Sequence, residues 1–275
     1  MGKLLLKHKT VFFGLILIMF MFGVAIFAPL IATYSPYQTS LTEEDILQPP
    51  SMQHLMGTDD LGRDLFSRMV YGSRISLSVG FIAVAISLLI GVTLGAIAGF
   101  YGGKVDFAIM RLVEVMMCLP RIYFILMIIA FLGPNIINVM VVIGLTSWAG
   151  LTRLVRAEFL TQKERDYVLA AHACSAPDFK IIFKHILPNA AAPIFVSATL
   201  GVGGAILIES ALSFLGFGVQ IPTPSWGNIL TVGRHYIDYA WWLTLFPGMA
   251  ILITVLSFNL VGEGLRDILD PRLKI

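Results

Sequence analysis

Six long apolar runs constrain this chain more than any other feature. They are Val11–Ala32, Ile75–Phe100, Phe107–Leu132, Asn135–Leu154, Ala190–Leu212 and Trp241–Val261. A helix of about 20 apolar residues crosses the hydrocarbon core of a bilayer. Strands or loops exposed to lipid would leave their peptide groups without hydrogen-bond partners, so runs of this length read as helices. The predicted fold is an all-α integral membrane protein with about six transmembrane helices. Composition matters at one point: only 13% of the 275 residues are charged, against roughly 25% in a soluble domain. That is too little charge to coat a water-facing surface. The opening MGKLLLKHK and the run after it look like a secretory leader, but the run exceeds the roughly 7–15 residues of a leader's apolar core. It also lacks a convincing small-x-small cleavage site, so it reads as a retained first helix.

The positive-inside rule sets the orientation. Lys3, Lys7 and Lys9 precede the first span, which puts the N-terminus in the cytoplasm; six crossings return the C-terminus to the same side. The loop between spans four and five then faces the cytoplasm and carries Arg153, Arg156, Lys163, Arg165, Lys180 and Lys184. The first outer loop sets Glu43, Glu44, Asp45, Asp59, Asp60 and Asp64 against Arg63, Arg68 and Arg74. The predicted organisation is a cytoplasmic N-terminus (1–10), a first span (11–32), an outer loop (33–74), a five-helix core (75–262) that includes a cytoplasmic loop (155–189), and a cytoplasmic tail (263–275). Within the outer loop, Leu61, Leu65, Phe66, Met69 and Val70 recur near helical spacing. They predict a short amphipathic helix that either lies on the outer membrane face or packs on the bundle. Trp226, Trp241 and Trp242 fall around the outer end of the last span, where interfacial aromatics are expected.

The cytoplasmic stretch from Glu164 to Pro193 is unusually organised for a connector. Tyr167 to Ala173 is helix-forming, and Ser175–Ala176–Pro177 interrupts it with a turn. Asp178 can cap a second helix, in which Phe179, Ile182, Phe183 and Ile186 make an apolar stripe. Pro188 is expected to end that helix before the fifth span. Two short helices at an angle form a knob, suited to docking in a groove of a cytoplasmic partner; the plainer reading is a loop that only joins two spans.

This segment resembles the coupling motif of binding-protein-dependent ABC importer permeases, in which Glu-Ala-Ala is followed after three residues by Gly and later by Ile-x-Leu-Pro. Ala170 and Ala171 match the alanines, and Ile186, Leu187 and Pro188 fall near the motif's end. Leu169 stands in place of the glutamate and Ser175 in place of the glycine. The segments His54–Leu77, Ser210–Leu230 and Phe258–Lys274 resemble the dipeptide/oligopeptide/nickel subfamily, in the expected order. The resemblance implies a permease subunit that takes up di- or oligopeptides, with nickel or another small solute as the alternative. It implies a second homologous permease, two ATP-binding-cassette ATPases that hold ATP and Mg²⁺, and an extracytoplasmic solute-binding protein, all at a prokaryotic cytoplasmic membrane. It also implies that Tyr167, Leu169, Ala170, Ala171, Ser175, Ala176, Pro177, Asp178 and Phe179 form the contact to the ATPase.

The chain itself has no catalytic set. It contains no Gly-x-x-x-x-Gly-Lys-[Ser/Thr] loop to cradle nucleotide phosphates; Gly102–Gly103–Lys104–Val105 lacks the leading glycine and the hydroxyl. Cofactor, metal and nucleic-acid sites are not predicted, and the bilayer is the expected surround. Cys118 and Cys174 belong to no ligand cluster and read as small apolar fillers. A stand-alone secondary transporter would call for internal repeats and paired intramembrane charges, and a membrane enzyme for a nucleophile and base within the spans; neither pattern is evident.

Two ionisable residues are candidates for the translocation path. Arg121 follows Pro120 inside the third apolar run, where a charge is costly and functional by default. It either meets an anionic group of the solute or pairs with an acid such as Glu209 or one on the partner permease. Glu209, near the outer end of span five, reads as a bond within the fold as much as a path residue. Arg111 and Glu114 are spaced for a local ion pair. Asp59, Asp60 and Asp64 fit loop capping and binding-protein contacts better than a cation site. Gly91, Gly95 and Gly99 form a ridge suited to close helix packing.

Overall fold

The computed structural model describes residues 9–40 and 42–269; Lys3 and Lys7, and the last residues of the tail, lie outside them. Helix α1 (Lys9–Ile26) runs into a single turn, α2 (Ala28–Ile31), with Pro29 in its first turn where a missing N–H costs nothing. An irregular strap follows and leads into α3 (Leu65–Tyr101). Then come α4 (Gly103–Cys118), α5 (Arg121–Leu132), α6 (Ile136–Lys163), α7 (Asp166–Ala173), α8 (Asp178–Phe214), α9 (Trp226–His235) and α10 (Trp242–Leu269). Helices α3, α6, α8 and α10 are each long and apolar enough to cross a membrane. With the shorter α1 and the pair α4–α5, they occupy the six apolar runs.

The third run is not the continuous helix that its composition predicts. It breaks at Leu119–Pro120, and α4 and α5 meet at 87°. Pro120 has no N–H to donate, and its ring collides with the carbonyl four residues back in a straight helix. It also pushes Leu119 into the extended region, at φ −90° and ψ 134°. Leu119 and Pro120 thus turn the chain within its apolar surroundings.

The helix predicted at 60–73 begins at Leu65 but is not a separate element. It forms the first turns of the 37-residue α3 and is packed into the bundle instead of lying on a membrane face. Leu65 and Met69 are buried against Trp226, Trp242, Ile229 and Leu243. Trp226 and Trp242 are accordingly core anchors, not interfacial aromatics. The Trp226 indole donates to the Met69 carbonyl (3.1 Å) and the Trp242 indole to the Thr58 carbonyl (3.1 Å). Trp241 alone of the three is half exposed.

Charges lock the strap. Asp64 caps α3 by accepting from the Ser67 N–H (2.8 Å) and meets His54 Nδ1 at 2.9 Å. Asp59 accepts from Arg63 Nε (2.7 Å) and sits 3.3 Å from Arg68 Nε, with all three side chains buried. These aspartates act within the loop, as capping predicts. Among the described residues, no group of three or more His, Cys, Asp and Glu could hold a metal ion.

Helices α3 and α6 pack extensively against each other, and the predicted glycine ridge lies in that contact. Gly91 faces Leu151, Gly95 faces Thr152 and Val155, and Gly99 faces Phe159 and the Arg156 backbone. Lipid tails are as apolar as these side chains, so close backbone approach replaces the hydrophobic drive that packs helices in water. One core joins α3, α5, α6 and α8 through Val79, Ile125, Ile129, Ile143 and Leu212. A second, at one end of the bundle, ties Phe100, Val155 and Phe159 to α7 and the start of α8.

Candidate coupling knob and translocation cavity

The knob is built as the turn residues require. Helix α7 closes with the Cys174 N–H donating to the Ala170 carbonyl (3.0 Å), and the Ala176 N–H donates to the Ala171 carbonyl (3.1 Å). Ser175, between them, has φ 54°, in the left-handed region that glycine adopts without strain. Pro177, extended at φ −66° and ψ 145°, occupies the cap position before α8. Asp178 was predicted as the cap; it is the first helical residue, and its side chain makes no capping bond. Its carboxylate still lies at the helix's positive end.

Pro188 does not end the second helix. Residues Ile181–Ile186 form a π-helical stretch, and the Leu187 N–H donates five residues back, to the Ile182 carbonyl. The widened turn makes room for the proline ring and moves the bonding register past its absent N–H. The helix therefore runs on to Phe214, and the knob and the fifth span are one rod.

The same re-registration splits the predicted stripe of Phe179, Ile182, Phe183 and Ile186. Val168, Ile181 and Ile186 are fully buried and bind the knob to Val155 and Phe159. Phe179 (71% exposed) and Phe183 (53%) face outward, their rings 4.5 Å apart, and Leu169 is 54% exposed. Tyr167 is partly exposed and donates to Gln162 Oε1 (2.6 Å). Ala170, Ser175, Pro177 and Asp178 lie on the surface, whereas Ala171 and Ala176 are half-buried and pack on the core beneath. The sites predicted from the motif thus divide into an outward set and a supporting set. Cys174 and Cys118 are both exposed, so neither fills the core of this chain.

The knob's footing is polar. Arg156 pairs with Asp106, its Nη2 donating to Oδ2 at 2.6 Å, and Lys163 Nζ donates to the Phe100 carbonyl (2.6 Å). These bonds fix α4 and the end of α3 to α6. Arg111 and Glu114 pair at 2.7 Å on an exposed face, as their spacing predicts. Beside them α4 and α6 enclose a groove of about 850 Å³, lined by Met110, Met117, Arg153 and Arg156 among others.

Arg121 lies in a second cavity, of about 240 Å³, with Ser87, Ser147, Gly150, Ser197 and Gly201. Its guanidinium donates to the Ser147 hydroxyl, which in turn donates to the Ile143 carbonyl. Since the third run is broken, counting residues along it does not give the depth of Arg121. The neighbouring helices do. Counted within the apolar runs Asn135–Leu154 and Ala190–Leu212 at ~1.5 Å per residue, Ser147 lies roughly 18 and 10 Å from the two ends and Ser197 roughly 10 and 22 Å. The cavity therefore lies within the apolar part of the bundle, nearer the knob end. Ser147, Ser87 and Ser197 were not singled out from the sequence, because serines in an apolar run carry no spacing signal.

Glu209 does not share this cavity and does not pair with Arg121. It is wholly buried, and Oε1 accepts from the hydroxyls of Ser213 (2.7 Å) and Ser225 (3.0 Å). Ser225 also opens α9 through a reciprocal pair of bonds with Asn228. Glu209 thus staples α8 to the segment before α9. That helix, which the apolar runs do not announce, seats Trp226 against α3.

Residues 91–275 match the family described as binding-protein-dependent transport system inner membrane component, and residues 2–50 match the N-terminal TM domain of oligopeptide transport permease C. The chain is 46% identical over 272 residues to the dipeptide transport system permease protein DppC of Alkalihalophilus pseudofirmus, covering 99% of this chain and 89% of that protein. It is 43% identical to the di/tripeptide transport system permease protein DppC of Pseudomonas aeruginosa, over 97% and 89% of the two chains. It is 40% identical to the oligopeptide transport system permease protein OppC of Bacillus subtilis, over 98% and 87%. Among solved structures, a chain of the inward-facing MetNI methionine ABC transporter shares the fold, with a TM-score of 0.60 at 19% identity over 73% of this chain and 95% of that one. The multi-helix bundle, the knob at its end and this near-full-length similarity agree: the chain belongs to the binding-protein-dependent transport system inner membrane components, the permease subunits of ABC importers.

Proposed function

We propose that this chain moves di- or oligopeptides across a prokaryotic cytoplasmic membrane, as half of a pore completed by a second, homologous permease. The family implies ATPase and solute-binding partners. In the proposed assembly two ATPases carry ATP and Mg²⁺, this chain binds no cofactor, and an outer binding protein delivers the peptide. Both termini and the knob at 164–188 face the cytoplasm. ATP closes the ATPase pair, the knob transmits the movement, and the bundle opens outward to receive the peptide; hydrolysis resets it.

The observation that carries this reading is the exposed apolar patch of Leu169, Phe179 and Phe183 on a knob whose inner face is firmly packed. Exposed clusters of this kind mark interaction surfaces. Burying Val168, Ile181 and Ile186 stabilises the knob by ~1.5–3 kcal/mol per side chain in a water-facing setting. Ala171 contributes to that packing, so a charge there would disrupt the knob itself; the outward phenylalanines are the cleaner probe. The double variant Phe179→Asp/Phe183→Asp is expected to lose the co-purifying ATPase, and peptide uptake with it, while still recovering the second permease. Retained ATPase and normal uptake would overturn the assignment.

A further inference from the structure

The cavity around Arg121 holds a cation that the fold does not neutralise. Among the described residues no carboxylate lies within ion-pair distance of Arg121. Its single recorded hydrogen bond runs to Ser147, whose own proton is committed to the Ile143 carbonyl. Ser147 therefore offers only a lone pair, which fixes one arm of the guanidinium. A guanidinium is a planar fork with five N–H donors, and two parallel donors match a carboxylate. Arg121 is exposed, and the cavity it lines is walled on one part by apolar Val84, Leu88 and Leu151 and on another by Ser87, Ser197, Gly150, Gly201 and Gly204. The glycines leave room, and the serines add donors without adding charge. Glu209, named above as one possible partner, is engaged elsewhere by Ser213 and Ser225.

We propose that Arg121 is a specificity-determining residue that receives the terminal carboxylate of the peptide as it passes through the bundle, with Ser147 as the positioning residue that orients it. This rests on the peptide reading above. The same carboxylate chemistry could come from an acidic side chain of the second permease, and the experiment separates the two sources.

The test uses the complex purified from its native membrane, reconstituted in vesicles with ATP and its binding protein, and two probes, trialanine and trialaninamide. Each probe is supplied at a concentration that saturates the binding protein, so that protein's own preference cancels from the maximal rates. The wild-type complex is expected to move trialanine at least about tenfold faster than the amide, the scale of a charge-assisted hydrogen bond. In Arg121→Gln the two rates are expected to converge to within about twofold, through loss of the acid's advantage. Arg121→Lys, a point charge without the planar fork, should retain part of the preference. Ser147→Ala should weaken the preference without removing it. Equal rates for the two probes in the wild-type complex overturn the inference while leaving the peptide reading intact. An undiminished preference in Arg121→Gln does the same. If Arg121→Gln fails to assemble, Arg121→Lys decides: a reduced preference supports the inference, and an unchanged one assigns Arg121 to an acid of the partner permease. A wild-type complex that moves neither probe overturns the peptide reading and this inference together.

Discussion

Gly95 is where a single atom decides whether two helices meet. A Cβ built there would fall 2.7 Å from both the Thr152 carbonyl oxygen and Val155 Cβ. The backbone oxygen has nowhere to retreat, so α3 and α6 must part. Gly95→Val is expected to destabilise the bundle by ~1–3 kcal/mol or more through overpacking. Gly23, which has nothing within 4 Å of its own virtual Cβ, should tolerate alanine. A detergent thermal-shift series on the two variants checks the contrast. Ser175 offers the opposite case. It holds a left-handed φ of 54° that costs an L-residue roughly 1–2 kcal/mol. Ser175→Gly should therefore raise the thermal midpoint of the knob, measured by hydrogen exchange of α7. Its left-handed backbone also gives a physical reason for a glycine at this position of the coupling motif: the turn that reverses the chain onto Pro177 selects for a missing Cβ.

Among the elements, the apolar spans were legible in the sequence because lipid leaves the backbone no alternative to helix. The knob was legible because Pro177 and the alanines punctuate it locally. The breaks and splices were harder. Pro120 and Pro188 look alike in the chain, yet one parts two helices by 87° and the other is absorbed by a π turn. The difference lies in what surrounds them: Ile181 and Ile186 are clamped in a core that holds the rod straight, whereas Leu119 is half exposed. The strap was least legible, because its bonds join distant residues. Trp242 reaches Thr58, and Arg68 Nη1 donates to the Pro36 carbonyl, with no periodicity to announce either. The strap makes its own prediction. Asp59 answers two buried arginines, Arg63 and Arg68. Asp59→Ala strips Arg68 of its carboxylate and leaves Arg63 only the longer, 3.6 Å contact to Asp60, and is expected to cost ~3–5 kcal/mol. Limited proteolysis should then cut within 40–64, while Asp60→Ala, at a part-exposed side chain, should leave the strap resistant.

At the scale of the whole molecule, the proposed orientation places the knob and both chain ends on one side of the membrane. Cys174, exposed on the knob, supplies a native reporter. In a Cys118→Ser background, a membrane-impermeant maleimide is expected to label Cys174 in inside-out vesicles and not in intact cells. Labelling of intact cells would invert the topology. The candidate site was only half visible from the chain: Arg121 announced itself as a charge in an apolar run, but the serines and glycines around it come from α3, α6 and α8 and meet only in the fold. One of those helices carries a consequence of its own. The π stretch at Ile181–Ile186 holds a residue more than α geometry would, and an α-helix turns about 100° per residue. The widened turn absorbs that residue, so deleting it would restore α geometry and leave Phe179 and Phe183 facing nearly as they do now relative to Ser197 and Gly201. A deletion in the regular helix beyond it would turn them by about 100°. The azimuth between docking surface and cavity is thus set by a residue count, not by residue identity. Along the regular part of this rod, point substitutions change strength, whereas insertions and deletions change aim.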